Sequence, residues 1–288
     1  MPPSPEVGRF RARKALSALM TGLCALAVVV ALVPLGFILF FVLRKGLPAL
    51  NLAFFTQMPK PVGEAGGGMA NAMVGTGILI SLAALLAVPV GIVCGVYVSE
   101  FKTSRLAPAV RLAADILNGV PSIVIGIFAS AIAVLPFRSF SALAGGVALG
   151  VMMIPIIVRT TDELLALVPP SFREGALALG ATRARAVVTV ILPAALPGIV
   201  TGVLVALARV AGETAPLLFT AFNNSYFSTR LDQPIASLTV QIFTYAISPY
   251  EDWHRQAWAG ATVLIAAVLL FSLLARALTR RLERMHRA

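Results

Sequence analysis

A chain of 288 residues in which 59% are apolar and only 12% charged departs from a typical soluble domain, which is about 45–50% apolar and about 25% charged. Twelve acidic and twenty-three basic side chains cannot wet the surface of a protein this size, so much of its outside faces lipid and a soluble globule is excluded. The net charge of +11 does not mark a nucleic-acid binder, because most basic residues sit at or beyond the ends of apolar runs, where they set membrane orientation.

Lipid requires backbone polar groups to be paired inside the protein, which leaves helices or a closed barrel. The apolar runs outlast the roughly 9–11 residues of a membrane strand. The expected fold class is therefore all-α, a polytopic transmembrane helical bundle of about six spans.

In chain order the runs are Ala15–Leu43, Ala65–Ser99, Ile116–Phe137, Ser139–Val158, Ala186–Ala208 and Gln256–Ala275. Each can hold a helix of about 20 residues. The first is too long for a cleaved secretory signal and reads as a permanent span. The glycine-rich front of the second reads as loop, with its helix beginning near Asn71. Within the third, Pro121 marks a local break whose freed backbone must be satisfied inside the bundle. The stretch 233–250 is uncharged but carries Pro234, Ser237, Thr239, Gln241, Thr244 and Ser248; it reads as an external helix or a partly inserted hairpin, not a seventh span. Small residues recur at close-packing spacing: Gly91 with Gly95, Gly146 with Gly150, Gly198 with Gly202.

Basic residues supply the orientation. Arg9, Arg11, Arg13 and Lys14 precede the first span, and Lys102, Arg105 and Arg111 follow the second. Arg159, Arg173, Arg183 and Arg185 follow the fourth, and Arg276, Arg280, Arg281, Arg284 and Arg287 end the chain. The opposite side holds only Arg44, Lys45, Lys60, Arg138, Arg230 and Arg255. The positively charged side is cytoplasmic, which predicts a multi-pass protein with both termini inside.

Between the fourth and fifth spans, Ser171 and Glu174 have capping-box spacing. Pro169 and Pro170 stop the preceding helix, and a short helix through Ala176–Leu179 is expected to end at Gly180 in the left-handed conformation. A second helix carries Arg183 and Arg185 toward Leu192 and Pro193. A short helix held beneath a bundle suits a partner's groove, though an ordinary amphipathic connection has the same pattern.

These residues resemble the loop signature of the permease subunits of bacterial ABC importers, the binding-protein-dependent transport permeases. The match falls on Glu174, Ala176, Gly180, Val190, Leu192 and Pro193. Gly175 departs from the usual alanine, which should weaken the short helix by roughly 1 kcal/mol. Further runs are similar to the phosphate-importer branch of that family, the PstA type: Gly67–Thr76, Pro89–Ile92 with Gly95–Tyr97 and Glu100, Gly119–Val124 with Gly126 and Phe128, and above all Ala208–Thr220.

The resemblance covers roughly residues 67–280 and implies a type I ABC importer permease fold in the cell inner membrane. Residues 1–68 would be the basic tail, first transmembrane helix and external loop. Residues 69–280 would be the permease core with a coupling loop at 159–185, and 281–288 a basic cytoplasmic tail. It also implies the partners: a homologous second permease subunit, two copies of a cytoplasmic ATPase subunit, an external phosphate-binding protein, membrane lipid, and inorganic phosphate as cargo. The coupling contacts would fall on Glu174, Gly175, Ala176, Gly180, Leu192 and Pro193.

Five residues are candidates for the substrate pathway. Arg209 and Glu213 are four apart and share a face if the fifth helix continues that far. Ionisable groups at membrane depth are expensive, so this is either a charge pair holding the bundle or an arginine fork offered to a crossing phosphate. Thr214 with Pro216 fits an interrupted helix, a common way to build a binding site at membrane depth. Asn71 and Ser122 are polar groups in or near spans, read as caps or helix–helix bonds on one side and substrate ligands on the other.

No Gly-x-x-x-x-Gly-Lys-Ser/Thr phosphate-binding loop occurs, and no nucleophile–base arrangement stands out, so the chain is not expected to be an enzyme. Cys24 and Cys94 lie inside apolar runs as small hydrophobes. With His254 and His286 they form no metal-binding cluster, and no cofactor is expected. A permease for another oxyanion, such as sulfate or molybdate, is the nearest alternative. An ion-coupled secondary transporter or a scaffold subunit of a membrane enzyme fits less well, because neither needs the loop at Glu174–Pro193.

Overall fold

A computed structural model describes residues 5–64 and 66–287. Met1–Ser4, Ala65 and Ala288 lie outside the described residues, as do the side chains of Arg11 and of the tail residues Arg280, Arg281, Arg284 and Arg287. Among the described residues every regular element is helical. The long helices are α1 (Pro5–Gly46), α3 (Ala70–Glu100), α6 (Ala142–Ala166), α9 (Leu192–Val210) and α12 (Glu251–Arg287). The shorter ones are α2 (Leu52–Thr56), α4 (Leu106–Gly119), α5 (Ser122–Ala133), α7 (Pro170–Ala178), α8 (Arg183–Ala186), α10 (Ala215–Thr220) and α11 (Leu238–Ala246).

The small-residue pairs singled out in the sequence are where the bundle closes. A β-carbon on Gly91 would lie 2.7 Å from Ile157, and one on Gly95 2.5 Å from Thr161. From the facing helix, Gly146 meets Leu82 at 2.6 Å and Gly150 meets Leu86 at 2.9 Å. Gly198 and Gly202 of α9 meet Leu164 and Thr160 of α6 at 2.8 and 2.4 Å. Hydrophobic driving force is weak in lipid, so such close backbone approach supplies the helix–helix dispersion contact. Around it Leu79, Ala83, Leu149, Met153, Ile157, Ala206 and Val210 form the main core.

The same contacts give direction. Residue numbers rise together along α3 and α6, so these helices are parallel; they run oppositely along α9 and α6, so those are antiparallel. A chain that leaves α3 at one face must therefore return to the other before α6 begins. The pair α4 and α5 makes that return, bent by 110° at Val120–Pro121. The third apolar run is thus not one straight helix. Pro121 has no N–H to donate and disfavours helical backbone in the residue before it, and Val120 accordingly sits at φ −72°, ψ 131°.

Counting the bent pair once gives six crossings. In α12, Gly260 lies on Met69, and Gly46 of α1 lies on Trp258 and Thr262. The end of α1 and the starts of α3 and α12 therefore share a face, and the start of α1 and the end of α12 lie toward the opposite one.

The ambiguous stretch 233–250 contains α11, whose nine residues span only about 13 Å, too short to cross. Ser237 caps it through Val240 N at 3.3 Å, and the Thr76 hydroxyl accepts the Leu238 N–H at 2.8 Å. It sits beside the first turns of α3, buried through Leu238–Gln241 and Tyr245.

Candidate functional site

Two groups of candidate residues lie at opposite ends of the bundle. At the end where α6 stops, α7 begins with Pro170 at its first position, where a missing N–H costs nothing. Pro169 is the N-cap, and Ser171 lies inside the first turn without a capping bond. The capping box expected from Ser171 and Glu174 is therefore not formed: the proline starts the helix two residues earlier than the serine reading requires.

The other end of α7 follows expectation. Gly180 is left-handed, with φ +80°. Its N–H donates to Leu177 O at 2.9 Å, and Ala181 N donates to Ala176 O at 3.1 Å, the paired bonds of a Schellman stop. Thr182 then caps α8 through Arg185 N at 3.3 Å. A π turn at Val187–Ile191 follows, with Leu192 N bonding to Val187 O five residues back. The wide turn accommodates Pro193, which cannot donate to Thr189 and whose ring would crowd that carbonyl in a regular helix. Through it α8 continues into α9, carrying Leu192 and Pro193.

The tip of this hairpin is apolar and uncovered. Leu179 is 91% exposed, and Phe172 and Leu177 are also open. Glu174 is exposed and forms no ion pair among the described residues, and a β-carbon on Gly175 would meet open space. Arg173 pairs through Nη2 with Glu100 Oε1 at the end of α3. On the same face Arg111 holds Asp162 with two bonds, Nε to Oδ2 at 2.9 Å and Nη2 to Oδ1 at 3.1 Å. Arg159 reaches Asp115 at 3.5 Å and also bonds Glu163. These pairs fasten α4 to α6 and α7 to α3. Sequence reasoning missed them. Their signal was the set of carboxylates beside the ends of the apolar runs, of which only Glu100 has no basic residue three or four positions away.

At the opposite end, α9 stops at Val210 and the chain turns through Ala211–Thr214 before α10. Arg209 and Glu213 therefore do not share a helix face, and no ion pair joins them among the described residues. Pro216 sits in the first turn of the next helix, α10, where its missing N–H breaks no ladder. Arg209 is exposed, beside the 59%-exposed Val205. Glu213 is half-buried, and its backbone carbonyl accepts the Thr239 hydroxyl at 2.8 Å.

The two interrupted helices meet: a β-carbon on Gly126 of α5 would lie 2.6 Å from Pro216 of α10. Ser122, one turn before Gly126, and Thr214, just ahead of Pro216, thus belong to one junction of helix breaks, and both are half-buried. Asn71 stands apart at the start of α3. Its Nδ2 donates to Asn224 O at 2.7 Å, its Oδ1 is buried without a partner, and it anchors the loop that leads to α11.

Comparison with known proteins bears on this arrangement. Residues 87–287 match the family model of the binding-protein-dependent transport system inner membrane component. The chain is 47% identical over 240 residues to the phosphate transport system permease protein PstA of Yersinia pestis, covering 83% of this chain and 81% of that one. It is 43% identical to the protein of the same name from Haemophilus influenzae, over 93% and 95% of the two chains. In fold it is similar to a bacterial ABC transporter involved in the import of the acidic polysaccharide alginate. There the TM-score is 0.62 at 15% identity, over 95% of this chain and 99% of that one. It is also similar to the MetNI methionine ABC transporter in an inward-facing form, with a TM-score of 0.58 at 20% identity over 74% and 93%. With most of its length matched by the family model and close relatives along nearly all of it, the chain belongs to the binding-protein-dependent transport system inner membrane components, in their PstA-type branch.

Proposed function

We propose that the chain is one of two permease subunits that together form the path of an ATP-driven phosphate importer in the cell inner membrane. The observation that carries this reading is Arg209. A guanidinium on the exposed side of α9 beside Val205 is costly where it faces lipid, and a second subunit over that side would give it a polar surrounding. A path between two permeases meets that requirement, and a planar fork of donors suits a tetrahedral oxyanion. The phosphate named for the PstA relatives agrees with that chemistry. Thr214 and Ser122, at the junction of helix breaks, are the neighbouring candidates for the path, while Asn71 and Glu213 act on its supporting loops.

The hairpin 159–185 faces the cytoplasm in this reading. Its open Leu177 and Leu179 enter a groove of an ATPase subunit, present in two copies, with Glu174, Gly175, Ala176 and Gly180 shaping the inserted helix. Leu192 and Pro193 relay its position into α9. The chain supplies no hydrolysis of its own. An external phosphate-binding protein delivers cargo to the opposite face, and residues 69–280 form the core that carries it.

The test is uptake by vesicles holding the complete importer and internal ATP, with labelled phosphate outside. Uptake should survive a hundredfold excess of sulfate or molybdate and be competed by unlabelled phosphate. Competition by sulfate or molybdate instead would reassign the substrate.

A further inference from the structure

We propose that a cavity between the end of α3 and the hairpin helix α7 binds a phosphate group, separately from the transport path. The cavity holds about 340 Å³ and is lined by Ser99, Glu100, Lys102, Thr103, Arg173, Leu177 and Arg183. Three cations thus face one carboxylate. That carboxylate is already engaged by Arg173, while Lys102 and Arg183 form no ion pair among the described residues. The balance is two positive charges, which a hydrogen phosphate dianion or a phosphomonoester neutralises.

One group in the cavity lacks the partner that burial demands, and Ser99, which makes no side-chain hydrogen bond among the described residues, adds a free hydroxyl to the lining. Arg173 bonds Glu100 through Nη2, but its Nε is buried and unpartnered. Buried donors without acceptors are costly. A tetrahedral anion supplies acceptors in the directions a hydroxyl, a guanidinium edge and two mobile cations require. The carbonyl end of α3 and Glu100 oppose an anion, so retention depends on Lys102, Arg183 and the free donors, which several phosphate oxygens engage at once and a chloride does not. The bound group would bridge the loop after α3 to α7 and α8, adding to the Arg173–Glu100 tie between α3 and α7.

The proposal rests on the cytoplasmic assignment of the hairpin but not on which oxyanion is transported. Its test reads the cavity and not transport, so the two can fail separately. In the assembled complex with its ATPase, Cys24 and Cys94 are replaced by serine and Thr103→Cys is introduced. The rate of its modification by an anionic thiosulfonate is followed. In uncharged detergent, millimolar inorganic phosphate should slow the reaction at least fivefold, and chloride at equal ionic strength should not. The slowing should vanish in a Lys102→Gln/Arg183→Gln background, which spares the Arg173–Glu100 pair.

A second arm uses lipid nanodiscs without added phosphate. Protection in discs containing phosphatidic acid but not in phosphatidylcholine discs, with free phosphate inactive in detergent, assigns the group to a lipid headgroup. Protection by free phosphate in detergent assigns it to the soluble anion. Three results would overturn the site: no protection in either arm, equal protection by chloride, or protection that persists in the double variant. Protection that needs only the ATPase subunit, with or without phosphate, would make the cluster a docking surface and overturn it as well.

Discussion

Arg209 and Glu213 are close in sequence but separated by the end of α9, and this decides what their variants should do. A charge pair on one helix face would make the double alanine variant more stable than either single one, because the orphaned carboxylate disappears with its partner. With no such pair, the expected outcome is different. Arg209→Ala should assemble and unfold at the wild-type temperature while losing most phosphate uptake, and Glu213→Ala should not restore uptake. Arg209→Lys should keep a fraction of it, since charge remains while the two-pronged geometry does not. Thermal unfolding of the assembled importer and labelled-phosphate uptake measure these outcomes. Wild-type uptake by a stable Arg209→Ala importer would take the residue out of the path.

At the level of elements, α7 hangs on its two ends. One is a proline start that needs no side-chain cap; the other is a Schellman stop that needs Gly180 at φ +80°. A β-branched side chain there costs on the order of 1–3 kcal/mol in backbone strain, even though the space around it is open. Gly180→Val should therefore release the ATPase subunit on purification while the helical circular dichroism of the permease stays unchanged. Gly175→Ala, also in open space, should strengthen the helix by about 1 kcal/mol and retain the ATPase. Equal ATPase recovery from both variants would disconnect this turn from docking.

The contrast also marks what the sequence makes legible. Hydropathy located the long spans, and spacing located Gly180 and the glycine pairs, because these depend on local composition and chain geometry. The 110° bend at Pro121 was visible as a break but not as an angle. The missing capping box turned on two prolines competing with a serine for the same helix start. The Arg173–Glu100 and Arg111–Asp162 pairs join residues 73 and 51 positions apart, so only packing brings them together. The split of Arg209 from Glu213 depended on where α9 stops, and helix ends are the least local feature of an apolar run that proline interrupts.

For the whole molecule, the parallel packing of α3 and α6 fixes the path of everything between them. Contacts from Gly146–Leu82 to Gly95–Thr161 advance in step along both helices, a register that antiparallel helices cannot adopt. Were α4 and α5 only a re-entrant excursion, α6 would start on the face where α3 ends and would run against it. The bent pair must then cross, although Arg111 and Asp115 lie on its first half; those charges stay near the α6 end, bound to Asp162 and Arg159. Charge asymmetry agrees, with basic residues gathered toward the face where α1 starts and α12 ends. Reporters fused at Arg9, Ser104 and His286 should accordingly read cytoplasmic, and reporters at Glu64 and Ser139 external. The Ser139 fusion is the critical one: a cytoplasmic reading there would make α4 and α5 re-entrant, break the parallel register of α3 and α6, and put the C-terminal tail outside.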